Sequence, residues 1–182
     1  MKNILFLFFV IILLIFGSPV LAAGKISVRS ASFSNKDIIP DKHACDILGS
    51  NLSPPFTFTN IPANTESLAL VMDDPDAPGG SFNHWVIFNI PLDDSGLEEG
   101  ILSENEFENG IIQGTNGTEQ IGYFGPCPPP FETHRYVFSV FALDTVLDLE
   151  DGATKKQLLK AMRGHILGRG KLVGKYKNNT NF

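Results

Sequence analysis

The distribution of apolar residues predicts a protein built mainly from β-strands. Three short runs are almost continuously hydrophobic: SLALVM at 67–72, HWVIFNI at 84–90 and YVFSVFAL at 136–143. Each run is rich in β-branched or aromatic residues and is bounded by Gly, Pro or Asp, which is typical of strands buried on both faces. Near the start, residues 26–29 alternate apolar and polar side chains, as in a half-exposed strand. The pattern therefore favours an all-β sandwich.

One segment near the C-terminus has helical periodicity. Thr154 can cap a helix that runs from about residue 155 to 166 and ends near Gly168. Apolar residues recur there at three- and four-residue spacing, so one helix face would pack against the sheets. These residues are Leu158, Leu159, Met162, Ile166 and Leu167. Residues 172–176 predict a final short strand.

The first 22 residues are predicted to be a signal peptide. Lys2 precedes an apolar run over 4–16, and small residues follow at the positions that a signal peptidase reads. The run is shorter than the roughly 20 residues of a membrane-spanning helix. We expect cleavage after Ala22, or after Ala23, which leaves 23–182 as a single domain in the periplasm or outside the cell. An uncleaved anchor is the alternative.

Composition and charge narrow the classes of function. Of the 182 residues, 43% are hydrophobic and 19% charged, which excludes an intrinsically disordered chain. The formal net charge of −6 is opposite to that of most nucleic-acid-binding proteins, so no nucleic-acid partner is expected. Residues 155–177 nevertheless carry eight basic side chains and no acid. A basic face for an anionic lipid surface would explain them, but we favour the solvated side of an amphipathic helix.

The two cysteines are Cys45 and Cys127, each in a turn-rich stretch. In an oxidising compartment they could form a disulfide. Because the sequence does not give their distance, two buried thiols are the alternative.

The ends of the three predicted strands place polar side chains at one edge of a sheet. The first run leads into a turn that contains Asp74, and His84 opens the second run. If these strands pair antiparallel, both side chains lie at the same edge. If the third strand runs parallel to the second, His134 and Tyr136 join them, together with the Pro-rich loop 125–130. Rigid loops at a sheet edge are a common place for a ligand site.

Such an edge could bind a small anion. Imidazole and phenol groups can donate hydrogen bonds to phosphate. Asp74 would hold a histidine ring in one tautomer and favour its protonated form. A zwitterionic ligand would let the carboxylate take an ammonium group while a histidine takes a phosphate. The alternative is purely structural, with Asp74 and Asp76 capping turns and the histidines bonded to backbone carbonyls.

Enzymatic chemistry finds less support in the sequence. There is no HExxH or CxxC spacing, so no metal site is expected. There is no Gly-x-Ser-x-Gly elbow, and Ser139 falls within an apolar run. Cys127 could act as a nucleophile with His134, but Pro128 follows it and has no N–H group to stabilise an oxyanion. We expect neither enzymatic activity nor a cofactor.

A series of motifs, in a fixed order, covers nearly all of the chain after the signal peptide. They are NLSPP at 51–55, DPDAP at 74–78, HWVIFNIP at 84–91, GTN at 114–116, GPCPPP at 125–130 and HRYVF at 134–138. In this order the motifs resemble the phosphatidylethanolamine-binding protein family, and more narrowly its bacterial and archaeal Raf-kinase-inhibitor-like branch. The resemblance implies two packed antiparallel sheets, a C-terminal helix and few other short helices.

The resemblance also implies an anion pocket at one rim. By position, its residues would be Asp74, Pro78, His84, Gly125, Pro126, Cys127, Pro128, His134 and Tyr136. A cis peptide bond before Pro78 is an expectation of the same kind, because such bonds favour tight proline turns. The family binds phospholipid head groups or small anions, some eukaryotic members regulate kinases, and a homodimer is an expectation for this branch.

The sequence therefore predicts a secreted or periplasmic, non-enzymatic binding protein for a small anion, such as phosphate or a phospholipid head group. A protein-interaction or inhibitor module acting on a protease, a kinase or a host factor is the alternative. A hydrolase that uses His84 or Cys127 is a third candidate.

Overall fold

Two β-sheets face each other across the main hydrophobic core. The computed structural model describes residues 24–92, 96–102, 107 and 109–181. The strands are β1 (Gly24–Lys25), β2 (Ser27–Arg29), β3 (Phe56–Thr59), β4 (Ser67–Asp74), β5 (Phe82–Ile90), β6 (Gly96–Leu97), β7 (Ile112–Gln113), β8 (Thr133–Leu143) and β9 (Ile166–Lys177). One sheet has the order β1-β9-β8-β4-β5-β7 and the other β2-β3-β6. Neighbouring strands are antiparallel except β1 and β9, which are parallel. The predicted sandwich is confirmed.

The central strands β4 and β5 are buried on both faces, as their continuous apolarity predicts. On β4, Leu70 and Met72 point into the core between the sheets, where they join Phe58 of β3. Ala69 and Val71 point the other way, into a second cluster under the helix. A layer on each side of the large sheet explains why these strands have almost no polar face.

Strand β8 departs from that prediction. Its inward residues Tyr136, Phe138 and Val140 are fully buried, whereas Arg135 is exposed and Ser139 only half-buried. The helix covers the outer face of β8 only towards its end. Val137 and Phe141 on the outer face are apolar but only half-buried, so the apolar run overstated how far this strand is covered.

The helix α1 (Lys155–Ala161) begins as predicted and ends earlier. Thr154 caps it in a reciprocal capping box, in which the Gln157 N–H donates to Thr154 Oγ1 and the Thr154 N–H donates to Gln157 Oε1. The predicted end near Gly168 is wrong. Gly164 has a φ of 88°, in the left-handed region, and turns the chain so that Ile166 already begins β9.

Strand β9 is much longer than the predicted strand over 172–176 because its glycines do not mark a loop. A Cβ on Gly170 would lie 2.5 Å from the Ile26 carbonyl oxygen, and a Cβ on Gly174 would overlap the Ile39 side chain. Glycine is required where other segments pack against the strand backbone.

The basic residues of 155–177 are divided between two elements. Those in and after the helix are Lys155, Lys156, Lys160 and Arg163, and those on β9 are Arg169, Lys171, Lys175 and Lys177. The interpretation of all eight as one solvated helix face is therefore wrong. Half of them are exposed side chains of β9.

The predicted signal peptide, residues 1–22, lies outside the described residues. Its cleavage and the periplasmic or secreted location stay predictions. Within the described ranges, no helix is both long and apolar enough to cross a membrane.

Cys45 and Cys127 form a disulfide that joins parts of the chain 82 residues apart. Cys45 follows a 3-10 turn (Asp41–His43), and Cys127 lies in the loop that precedes β8. A crosslink that closes so long a loop restricts the unfolded chain strongly.

Replacing both cysteines, C45A with C127A, should lower the free energy of unfolding by about 2–5 kcal/mol, because the unfolded chain regains its loop entropy. Urea denaturation followed by circular dichroism measures the change. Dithiothreitol should lower the midpoint of the wild-type protein and leave that of the double variant unchanged. Equal midpoints for the oxidised wild type and the variant would contradict this prediction.

Candidate functional site

The strand order brings three chain segments to one edge of the large sheet. β4 ends at Asp74, which pairs with Phe82 at the start of β5. β4 is antiparallel to both β5 and β8, so β5 and β8 run in the same direction and begin at that edge. Asp74, His84 and His134 therefore lie together although they are up to 60 positions apart in the chain.

A cavity of about 360 Å³ opens at this edge, within the usual range of small-molecule sites. Its lining residues are Asp74, Ala77, Pro78, Phe82, His84, Thr118, Phe124, Cys127, Pro129 and His134. Phenylalanine and proline side chains supply four of the ten lining residues, and the titratable groups are three: Asp74, His84 and His134. This combination is typical of a binding site with a small number of orienting polar groups.

A larger groove, of about 690 Å³, lies along β9 and has different chemistry. Its charged side chains, among them Arg169 and Lys171, are all exposed to solvent. The cavity at the strand ends instead contains three buried titratable side chains, Asp74, His84 and His134. Buried titratable groups in a concave site are the stronger indication of function.

His134 lies between two carboxylates. Its Nδ1 is 2.7 Å from Asp74 Oδ2, and its Nε2 is 3.0 Å from Glu132 Oε2. A carboxylate accepts hydrogen bonds, so both ring nitrogens act as donors and the ring is an imidazolium. Burial lowers the pKa of His134, but the hydrogen bonds and charges of Glu132 and Asp74 outweigh that effect and raise the pKa above its usual value.

His84 has the opposite character. Its Nδ1 donates to the Phe124 carbonyl oxygen at 2.7 Å, and its ring is enclosed by Phe82, Phe124 and Tyr136 with centroid distances of 4.8, 5.6 and 5.1 Å. Burial lowers its pKa, although Phe124 and Asp74 favour the charged form. His84 is therefore neutral near pH 7, with a proton on Nδ1 and a lone pair on Nε2.

Tyr136 lies behind the cavity wall and is fully buried. Its hydroxyl group makes no hydrogen bond of good geometry within the described part of the chain. Burial raises the pKa of Tyr136 far above its usual value, and the nearby carboxylate of Asp74 raises it further. The phenol stays protonated and can donate a hydrogen bond towards Asp74.

The loop that carries Cys127 is held against the segment 43–51. Besides the disulfide, the Cys45 N–H donates to the Pro126 carbonyl oxygen at 3.1 Å, and the Gly125 N–H donates to Asn51 Oδ1 at 2.7 Å. On the other side, Asn178 Nδ2 donates to the Pro128 carbonyl oxygen at 2.9 Å. These bonds fix one wall of the cavity before any ligand binds.

The turn after β4 forms the opposite wall and is closed without a cis peptide bond. The expectation of a cis bond before Pro78 is wrong, since the peptide bonds of the described residues are all trans. The Asp76 N–H donates to Asp74 Oδ1 at 2.8 Å, and Gly79 and Gly80 have positive φ values. An Asx-turn followed by two glycines reverses the chain sharply enough on its own.

Arg135 joins this turn to β8. It donates from its backbone N–H and from Nε to Asp76 Oδ2, at 2.9 and 2.8 Å, and from a terminal nitrogen to Asp76 Oδ1 at 2.6 Å. The hydrogen bonds from Arg135 lower the pKa of Asp76 to about 2. Asp76 therefore stays ionised and fastens the turn to the strand.

The residues predicted for the site fall into three groups by their position relative to the cavity. Asp74, Pro78, His84, Cys127 and His134 line the cavity. Tyr136 contacts the His84 ring from behind. Gly125, Pro126 and Pro128 do not line the cavity, and their backbone groups hold the wall loop in place.

Sequence reasoning missed several residues of the site. Glu132 and Phe82 each lie two positions before a predicted histidine, and alternate residues of an extended segment share a face, so that spacing could have revealed them. Phe124 and Thr118 lie in loops whose path the sequence does not show. Asn51, which accepts from Gly125, is likewise a loop residue.

A protein-family model described as phosphatidylethanolamine-binding protein matches residues 29–177. The match spans most of the chain and includes every residue of the cavity. The chain belongs to the phosphatidylethanolamine-binding protein family. The family resemblance seen in the motifs is thereby confirmed.

Relatives within the phosphatidylethanolamine-binding protein family occur in archaea and bacteria. The chain is 48% identical over 151 residues to a UPF0098 protein of Methanothermobacter thermautotrophicus, covering 83% of this chain and 98% of the relative. It is 40% identical over 157 residues to a UPF0098 protein of Chlamydia trachomatis, covering 84% and 99% of the two chains.

Solved structures of the family have the same fold. CT736 of Chlamydia trachomatis, described as a putative phosphatidylethanolamine-binding protein homologue, superposes with a TM-score of 0.75 at 39% identity over 86% of this chain and 98% of its own. YbcL of E. coli, described as a member of the mammalian family, gives a TM-score of 0.75 at 25% identity over 86% and 99%.

The pKa values of the three buried histidines should be shifted in different directions from the usual value of about 6.5. Burial lowers the pKa of His43 and of His84, whereas the two carboxylates raise that of His134. NMR titration of the ring resonances, assigned with single His→Gln variants, measures each value.

The pH dependence of the free energy of unfolding follows from the directions of these pKa shifts. The contribution of His134 is complete below pH 6.5 and is lost as pH rises through its folded-state pKa. The contribution of neutral His84 is complete above pH 6.5 and is lost as pH falls towards its lower folded-state pKa. A His84 pKa above that of His134 would contradict the prediction.

Proposed function

We propose that the chain is a non-enzymatic binding protein, periplasmic or secreted, whose cavity takes a phosphate-bearing ligand of the phospholipid head-group type. The observation that carries this proposal is the imidazolium of His134, held at the cavity wall by Asp74 at 2.7 Å. A charged donor fixed by a buried carboxylate is suited to a phosphate oxygen. Membership of the phosphatidylethanolamine-binding protein family supports the binding character.

The charges around the cavity favour a zwitterionic ligand over a simple anion. Asp74 and Glu132 are carboxylates, His134 is the cation between them, and His84 and Tyr136 are neutral. These groups sum to one negative charge, which repels a free anion. A head group such as phosphoethanolamine places a phosphate against His134 and an ammonium group near a carboxylate.

The positions of the nucleophilic side chains support binding rather than catalysis. The Cys127 sulfur is bonded to Cys45, so it is not a nucleophile for His134 in the oxidised protein. Ser139 faces outward from β8, pairs with Lys171 across the sheet and lines the separate groove along β9. Neither side chain offers a reacting atom to the cavity.

The disulfide also supports a location outside the cytoplasm, because structural disulfides persist mainly in oxidising compartments. This agrees with the predicted signal peptide over 1–22. A protein partner and a homodimer stay predictions.

Isothermal titration of phosphoethanolamine into the wild-type protein tests the proposal. We expect H84Q to bind at least about tenfold more weakly, because the His84 ring lines the cavity and the lone pair on its Nε2 can accept a hydrogen bond from the ammonium group of the ligand. The matched control is H165Q, since His165 lies in the turn before β9, is exposed, and among the described residues its side chain bonds Asp144 alone. H165Q should bind like the wild type.

Two results would overturn the proposal: no heat of binding with the wild type, or equal affinity for the wild type and H84Q. Acetate serves as an anion without phosphate and should bind more weakly. Sedimentation with phosphatidylethanolamine vesicles, compared with soluble phosphoethanolamine, separates recognition of a membrane lipid from recognition of a free head group.

A further inference from the structure

In the described structure, both ring nitrogens of His134 are already bonded to side chains of the same protein. Asp74 accepts from Nδ1 at 2.7 Å, and Glu132 accepts from Nε2 at 3.0 Å. An incoming phosphate oxygen needs a donor, and Nε2 is the ring nitrogen that is not bonded to buried Asp74. A phosphate can reach it only by replacing the Glu132 carboxylate.

The two carboxylates differ in how firmly they are held. The side chains of Asp74 and His134 are each 4% exposed, whereas that of Glu132 is 55% exposed. Asp74 also accepts the Asp76 N–H, so it is fixed by the turn after β4. An exposed ion pair is weak and its side chain is free to rotate. Asp74 is therefore a permanent partner of His134, and Glu132 is one that a ligand can replace.

The next basic side chain along β8 does not neutralise Glu132. Arg135 uses its backbone N–H and two guanidinium nitrogens on Asp76. A displaced Glu132 thus remains a negative charge beside the bound phosphate. Two like charges at close range disfavour binding unless the ligand brings a compensating cation.

We propose that Glu132 is a specificity-determining residue, which accepts from His134 Nε2 at the position where a phosphate oxygen would bind and rejects ligands that carry only negative charge. A ligand that joins a phosphate to an ammonium group replaces the carboxylate at His134 Nε2 and pairs its ammonium with the displaced Glu132. Inorganic phosphate can replace the Glu132 carboxylate at His134 Nε2, but it brings no cation to pair with the displaced carboxylate. The residue thereby selects a zwitterionic phosphate over a free one. This proposal rests on the proposed function of the cavity.

Titration of phosphoethanolamine and of inorganic phosphate into the wild type and E132Q tests the selection. In E132Q the affinity for inorganic phosphate should rise at least about tenfold, and the preference for phosphoethanolamine should fall by a similar factor. E132A should change the preference in the same direction without a glutamine amide to occupy Nε2. Both variants should keep the wild-type melting temperature within a few degrees, because the side chain is exposed.

The matched control is E66Q. Glu66 is an exposed acid that precedes β4, at the end of the strand opposite Asp74, and its loss changes the net charge equally. E66Q should keep the wild-type preference. NMR titration gives a readout without ligand, in which the pKa of His134 falls in E132Q and stays unchanged in E66Q.

The outcomes separate the two proposals. If the wild type binds phosphoethanolamine and the preference is the same in E132Q, the role of Glu132 is refuted and the proposed function stands. If neither ligand binds the wild type or any variant, both proposals fail. If E66Q changes the preference as much as E132Q, net charge and not the position of Glu132 is responsible, and the proposal is refuted.

Discussion

The site depends on the buried contact between Asp74 and His134, at the ends of two strands that lie side by side. Their oxygen and nitrogen are 2.7 Å apart, and both side chains are almost excluded from solvent. A carboxylate in such a position requires a partner, because an isolated buried charge is strongly unfavourable. The pairing fixes the end of β4 relative to the start of β8, and it also keeps a protonated imidazole at the wall of the cavity. One interaction thus serves both the fold and the binding site.

The rest of the structure keeps this edge rigid. β4 lies between β5 and β8 and is covered on both faces, by the small sheet on one side and by α1 on the other. The two walls of the cavity are then fastened separately, one by the disulfide between Cys45 and Cys127 and the other by the bonds of Arg135 to Asp76. A cavity whose walls are fixed in advance loses little conformational entropy when a ligand binds. For the ligand that we propose, the fold therefore supplies a preformed cavity.

Within this rigid frame, the polar groups divide into permanent and replaceable ones. Asp74 and His134 are buried and mutually bonded, and His84 is held by the Phe124 carbonyl oxygen. The Glu132 side chain is 55% exposed, and in the described part of the chain its carboxylate bonds His134 alone. Family membership accounts for the frame, since the match extends over residues 29–177. In our proposal, ligand preference depends more on exposed positions such as Glu132, which the fold itself does not restrict.

The sequence by itself determined the fold class, the central strands and the meeting of Asp74, His84 and His134 at one edge of the large sheet. It could do so because continuous apolarity reports burial on two faces, and because strands that share a direction begin at the same edge. Its errors came from glycines whose roles the apolar pattern does not show. The glycines of β9 resemble loop signals but are required by the approach of Ile26 and Ile39, and Gly164 ended the helix before its apolar spacing did. Only the tertiary structure decided whether the cysteines form a disulfide, which histidine is charged and which group Glu132 bonds. The disulfide and the charge of His134 depend on distances between segments that are remote in the chain.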